Sequence, residues 1–271
     1  GAIADCATLI CEAGTGTGKT VAYLVPAMLA GGKVIISTGT KTLQDQLFHR
    51  DIPTVRDALA LPLQVALLKG RANYVCHYHL ERNLREGMLP SRQEVSHLHQ
   101  IARFAKTTTT GDKAELSAVP EDASAWMHAT STRDNCLGQS CPNFNDCFLM
   151  KARRAALESD VVVVNHHLFF ADVMLRDEGM AELLPACNTV ILDEAHQLPD
   201  TATLFFGETA STGQMLELAR DSRAECLQSA RDVPALIPLC GALEKAARDL
   251  RLSVNRDVGR LHGDALQREQ A

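Results

Sequence analysis

Residues 7–30 read ATLICEAGTGTGKTVAYLVPAMLA, and their reading decides the fold. The run at 7–12 reads as a short buried strand. A Gly-rich turn follows at 13–18, and Lys19 to Ala30 then sets Val21, Leu24, Val25 and Met28 on one helix face. Strand, Gly-rich turn and helix in that order are the setting of a phosphate-binding loop, where backbone N–H groups and a helix N-terminus face bound phosphates. Ala13, Gly14, Thr15, Gly16, Thr17, Gly18, Lys19 and Thr20 are therefore the candidate nucleotide-binding residues. Lys19 is expected to reach the β- and γ-phosphates of ATP, and the Thr20 hydroxyl to ligate Mg2+. Ala13 stands where the strict pattern has glycine.

Outward from this stretch, short apolar runs alternate with helical segments. Gly31-Gly32 stops the first helix, Val34 to Ile36 is a predicted strand, and Lys41 to His49 a predicted helix. Further strands are predicted at Gln64 to Leu68, Val161 to Val164 and Val190 to Leu192. This alternation predicts an α/β fold with a mostly parallel sheet covered on both faces. The last of these strands lies in TVILDEAH, residues 189–196, and delivers two carboxylates at its C-terminal end. Ligands bind at that end in open α/β sheets. Asp193 is assigned to Mg2+ through its water shell, and Glu194 to orient and deprotonate an attacking water, which makes the reaction a hydrolysis. His196 lies too far along to ligate the metal directly and is read as coupling the site to another element. The bland alternative, an Asp that caps a helix, loses force beside residues 13–20.

Residues 70–150 break the rhythm and read as an insertion between two strands. Cys76, Cys136, Cys141 and Cys147 fall there, with 59, 4 and 5 residues between successive members. Four thiolates in one irregular segment suit zinc or an iron–sulfur cluster. Only Cys136 and Cys141 have the pair spacing zinc favours, while His77 and His79 keep a mixed Cys/His zinc site open. Cys11 and Cys187 read as small buried apolar residues, and Cys6, Cys226 and Cys240 carry no visible role. After Gly207 the pattern turns helical, at 211–230 and 234–253, and the polar segment 261–271 also looks helical.

Composition sets wider bounds. With 271 residues, 46% hydrophobic and 22% charged, the chain reads as globular and long enough to bury a core. A net charge of −6 argues against a surface that binds nucleic acid everywhere, and leaves room for a local basic groove. Aromatic residues at 4% offer few stacking platforms for a passive single-strand binder. No apolar run approaches the roughly 20 residues of a membrane span, and no signal peptide is read at the start, so a cytoplasmic protein without a membrane partner is expected. Nine cysteines in that setting point to metal or redox chemistry rather than a disulfide framework.

Taken together, the segments resemble the iron–sulfur superfamily 2 DNA helicases of the XPD/DinG group, and within it the bacterial YoaA-type, DinG-related helicases. The likeness is carried by EAGTGTGKT (12–20), VIISTGTKTLQDQL (34–47), LLKGRANYVC (67–76), DNCLGQSCPNFNDCF (134–148), VVVVNHHLF (161–169) and LDEAHQLPD (192–200), in the family's order. It implies a P-loop NTPase (RecA-like) motor split as 1–69 and 151–207, an iron–sulfur insertion over 70–150, and the start of a helical arch over 208–271. It implies a 4Fe-4S cluster on the four cysteines named above. It implies that Ser37, Thr38, Gly39 and Thr40 contact the backbone of single-stranded DNA, and that Lys69 and Arg71 face DNA near a duplex junction. Asn165 and His166 receive a structural role and only a weak DNA role. The implied activity is ATP-dependent 5′→3′ DNA unwinding in repair or replication restart, with replication or repair proteins as partners. The family's Gln-containing adenine motif and its second motor domain, with an arginine finger, lie outside these residues. The chain alone is accordingly expected to bind nucleotide weakly and hydrolyse it poorly. Two rivals stand beside this reading: a regulatory P-loop ATPase, and a zinc-stabilised module without unwinding activity.

Overall fold

A computed structural model of the chain describes residues 1–14, 16–86, 91–133, 135–177, 183–207, 211–228, 233 and 235–253. Thr15, the end of the 211–230 helical segment and the segment 261–271 lie outside them. The chain divides into two compact units, residues 1–206 and 207–271.

The first unit is built on four parallel strands, β1 (Val34–Thr38), β2 (Val65–Leu67), β3 (Val161–Asn165) and β4 (Thr189–Leu192), in the order β2-β3-β1-β4. Val34 pairs with Val161 on one side and Thr189 on the other, and Val65 with Val161. The central strands are buried on both faces, which is why they read as unbroken apolar runs. Their side chains alternate between two cores. Val34, Ile36, Val161 and Val163 meet Leu24, Ala27 and Met28 of α1 (Lys19–Ala30) and Ile52 and Val55 of α3 (Ile52–Ala58). Ile35, Val162 and Val164 meet Ala66, Leu68, Leu184 and Ala156 of α6 (Phe148–Glu158). Between α1 and α3 runs α2 (Lys41–Gln46), whose helical path continues through a wider turn at Leu47–Asp51. Asn165 ends β3, and its side chain caps α7 (His166–Asp177) by accepting from the Leu168 N–H at 2.9 Å.

Leu24 is fully buried in the first of these cores. Leu24→Ala is expected to cost about 2–5 kcal/mol, read as a lowered urea midpoint at unchanged slope. A loss well under 1 kcal/mol would contradict the packing.

The expected strand at 7–12 is not formed. Residues 7–14 make no ladder, Leu9 and Ile10 are 73% and 92% exposed, and Cys11 is exposed rather than buried. An apolar run becomes a strand only where a neighbouring edge and a core surface receive it. The described residues supply neither, and β4 pairs only with β1.

Residues 70–147 form no strand among the described residues, as their lack of alternation suggests, yet they carry a hydrophobic core of their own. Leu80 on α4 (His77–Glu86) and Leu98 and Ile101 on α5 (Arg92–Thr107) pack with Tyr74, Val75, Val119, Trp126 and Phe148. The indole N–H of Trp126 donates to the Pro120 carbonyl at 2.9 Å, so this buried ring leaves no polar atom unpaired. After β4 the first unit ends in α8 (Leu198–Phe206). The second unit holds a helical pair, α9 (Thr212–Gln228) and α10 (Leu236–Ser253), joined by buried Ala219, Cys226, Cys240 and Ala247 and by Arg223 to Glu244 at 3.5 Å. No helix of the described residues is long and apolar enough to cross a membrane.

Candidate nucleotide and cysteine sites

The loop before α1 is shaped for an anion. Gly16 and Gly18 have φ of 76° and 84°, a region that a side chain disfavours and glycine enters freely. No side chain caps the first turn of α1 and no acidic residue stands in it, so its N–H groups are free for a ligand. The Thr17 hydroxyl donates to the Gly14 carbonyl at 2.8 Å and closes the loop. The loop is mostly exposed, with Lys19 and Thr20 half-buried at its inner end.

The second half of the site arrives from β4. The Asp193 N–H donates to the Ser37 carbonyl at 2.8 Å, which extends the β1–β4 pairing by one residue. Glu194 then turns sharply, at φ 55°, a left-handed conformation uncommon for a residue with a side chain. This turn brings its carboxylate to Lys19 Nζ at 3.3 Å and to His196 Nδ1 at 3.3 Å. Residues from opposite ends of the unit thus form one cluster. Burial raises the Asp193 pKa above the usual carboxylate range, and the adjacent Glu194 charge adds to it. Two carboxylates against one lysine leave an excess negative charge, which suits a divalent cation held by Thr20 and Asp193. Tyr23 was not foreseen here. Its buried hydroxyl faces Asp193 and Thr20, and burial, with the Asp193 charge, lifts its pKa well above the usual phenol value. It lies one helical turn beyond Thr20, on the same face of α1, a spacing that could have flagged it.

Segment 37–40 backs onto this cluster. Ser37 and Thr38, expected to touch DNA, are fully buried. Ser37 Oγ lies 2.7 Å from Nδ1 of His166, itself fully buried, and burial holds this imidazole below its usual pKa. Gly39 lies against the Gln197 side chain, so close that a Cβ there would collide with it. Only Thr40 is exposed, and its hydroxyl caps α2 by accepting from the Leu43 N–H at 3.2 Å. Of the four residues only Thr40 presents its side chain at the surface, and Ser37 and Thr38 lie beneath it.

Lys69 also departs from expectation. It is 2% exposed, and its ammonium lies 2.7 Å from both Asp45 and Asp112. Burial pushes its pKa down, but the hydrogen bonds it donates to Asp112 and Asp45 outweigh that and raise it. It has no free face for a phosphate. A basic residue in a glycine-containing loop reads as solvated, and the two carboxylates that bury it stand far away in sequence.

The four cysteines line one cavity. Cys76 precedes α4, Cys136 and Cys141 flank the turn at Gly138–Ser140, and Cys147 caps α6. All are free thiols of intermediate burial. Burial raises the Cys76 pKa, and the facing Cys147 and Cys141 add to it. Arg71, expected at a duplex junction, lines this cavity together with Arg153. Burial and the nearby Arg71 charge lower the Arg153 pKa, the mark of guanidiniums crowded where anionic thiolates would balance them. Arg153 follows Leu149 and Met150 on one face of α6, and all three line the cavity. Among the described residues no Asp or Glu lines it; its donors are the four thiols and His79, a set that fits a thiolate-bound cluster and leaves the mixed Cys/His site open.

No protein-family model matches the chain. Among curated proteins it is 49% identical over 247 residues to the ATP-dependent DNA helicase YoaA of Escherichia coli, a match spanning 91% of this chain and 39% of that protein. It is 43% identical over 251 residues to YoaA of Haemophilus influenzae, spanning 93% of this chain and 39% of the relative. It is 36% identical over 217 residues to the ATP-dependent helicase DinG of Mycobacterium tuberculosis, spanning 72% of this chain and 32% of the relative. A solved truncated XPD overlaps 94% of this chain and 66% of its own at a TM-score of 0.39 and 16% identity, too distant to bear on the fold. The chain spans about two fifths of the length of the YoaA relatives it matches. Through these relatives, the chain belongs to the family of the YoaA and DinG helicases.

Proposed function

We propose that this chain is the ATP-hydrolysing motor part of a cytoplasmic 5′→3′ DNA helicase of repair or replication restart. In this reading 1–69 and 151–207 form the RecA-like motor, 70–150 the iron–sulfur insertion and 208–271 the start of a helical arch. The observation that carries it is the 3.3 Å approach of Lys19 to Glu194, which joins the phosphate loop and the DEAH segment into one site. Lys19 moves from Glu194 to the β- and γ-phosphates when ATP enters. Thr20 and Asp193 hold Mg2+, which when bound neutralises the developing phosphate charge. Glu194, freed of Lys19, orients the attacking water and takes its proton. The Asp193–Ser37 backbone bond and the Gly39–Gln197 contact carry the resulting movement to Thr40, where the DNA backbone lies.

The four cysteines take a 4Fe-4S cluster, which supplies a rigid covalent staple for the insertion that parts the duplex. Support comes from their shared cavity, which no carboxylate of the described residues lines.

Glu194→Gln tests the assignment of the base. It removes negative charge beside the phosphates, so ATP binding is expected to persist while turnover falls about 10²–10⁴-fold. Fluorescent-nucleotide titration with phosphate release reads both. Turnover at the native rate would assign the base elsewhere.

A further inference from the structure

The buried ammonium of Lys69 ties two parts of the molecule together. Asp45 lies on α2, the helix that Thr40 caps and that follows the strand-contact segment. Asp112 lies in the insertion, where it bridges to Tyr74. Around the ammonium the backbone is closed. The Lys69 N–H donates to the Tyr74 hydroxyl at 3.0 Å, the Val75 N–H to the Gly111 carbonyl at 2.8 Å, and the Cys76 N–H to the Ala129 carbonyl at 2.7 Å. On the motor side, buried Gln44 donates to the Leu68 carbonyl at 3.0 Å. A continuous line of contacts thus runs from Thr40 through α2, Asp45, Lys69 and Asp112 to the first cavity cysteine.

We infer that Lys69, with Asp45 and Asp112, is a positioning joint that makes the cysteine insertion move with α2, and is not a DNA contact. Three features carry this. The ammonium is sealed from solvent, its two partners come from separate parts of the chain, and both contacts are 2.7 Å. A surface lysine held by one flexible partner would transmit no displacement, because water and rotamer freedom would absorb it. A buried ammonium held at 2.7 Å by two carboxylates resists separation from them. What the joint transmits, motion of the strand-contact segment to the duplex-parting insertion, rests on the helicase reading above.

The test uses the full-length protein as wild type, Asp45→Asn and Asp45→Glu. Asp45 is one-third exposed, so its replacement leaves the Lys69–Asp112 pair intact and the fold standing. For Asp45→Asn, bound iron and single-strand-stimulated ATPase are expected to stay within about twofold of wild type, while strand displacement per ATP falls about fivefold. Amide exchange at Asn73 to Cys76 is expected to quicken about tenfold. Asp45→Glu should restore both. Unchanged displacement per ATP and unchanged exchange would overturn the joint, as would a fall in ATPase equal to the fall in displacement. Should wild type displace no strand at all, the helicase reading fails by itself. The joint is then decided by amide exchange alone, quickened exchange upholding it and unchanged exchange removing it.

Discussion

Lys19→Ala is expected to lower ATP turnover of the full-length protein about 10²–10³-fold, the cost of removing one preorganised group from a transferring phosphoryl. The residue begins α1 at the end of the Gly-rich loop, and only Glu194 holds its ammonium among the described residues. Its removal leaves Mg2+ as the one cation set against Asp193, Glu194 and the phosphates, so nucleotide affinity should fall together with turnover. The fold should survive, since Lys19 is partly exposed and takes no part in the core beneath α1. Phosphate release and a thermal melt, read together, check this. Native turnover in a folded Lys19→Ala protein would refute the phosphate-loop assignment.

Cys141→Ser carries the second large effect. Serine is nearly isosteric but a far poorer ligand for iron than a thiolate. Loss of bound iron is therefore expected, from about four atoms per chain in the loaded protein to a small residue, with loss of the visible charge-transfer absorption. The insertion should not unfold outright, because Trp126, Leu98, Ile101 and Phe148 form a core that does not need the thiols. What should loosen is the segment around Cys136 and Cys147, which the proposed cluster would tie to Cys76. Faster proteolysis there, with an unchanged melt of the motor core, is the expected pattern. Retained iron at the wild-type level would show that the ligand set is misassigned.

The parts legible in the sequence share one physical property: their signal is local. β1 and β3 read as strands because both faces are buried, and α1 because its apolar residues repeat at helical spacing. The meeting of Lys19 with Glu194 was legible because a helix N-terminus and the C-terminal end of β4 adjoin at one edge of a parallel α/β sheet. What escaped depends on partners that are distant along the chain. Residues 7–12 have a strand's composition, but no edge receives them in this structure. Ser37 and Thr38 have the hydroxyls that a phosphate contact needs, yet His166 and the DEAH turn cover them. Lys69 looked like a free cation until Asp45 and Asp112 were placed beside it. Arg71 and Arg153 gain meaning only once the four cysteines are seen to share a cavity.

The most direct test of the account is strand displacement by the full-length protein, purified without oxygen, on duplexes carrying either a 5′ or a 3′ single-stranded tail. The account expects ATP-dependent displacement of the 5′-tailed substrate, none with Lys19→Ala, and little on the 3′-tailed one. ATP hydrolysis unaffected by DNA, with no displacement on either substrate, would contradict it and leave a regulatory P-loop ATPase in its place.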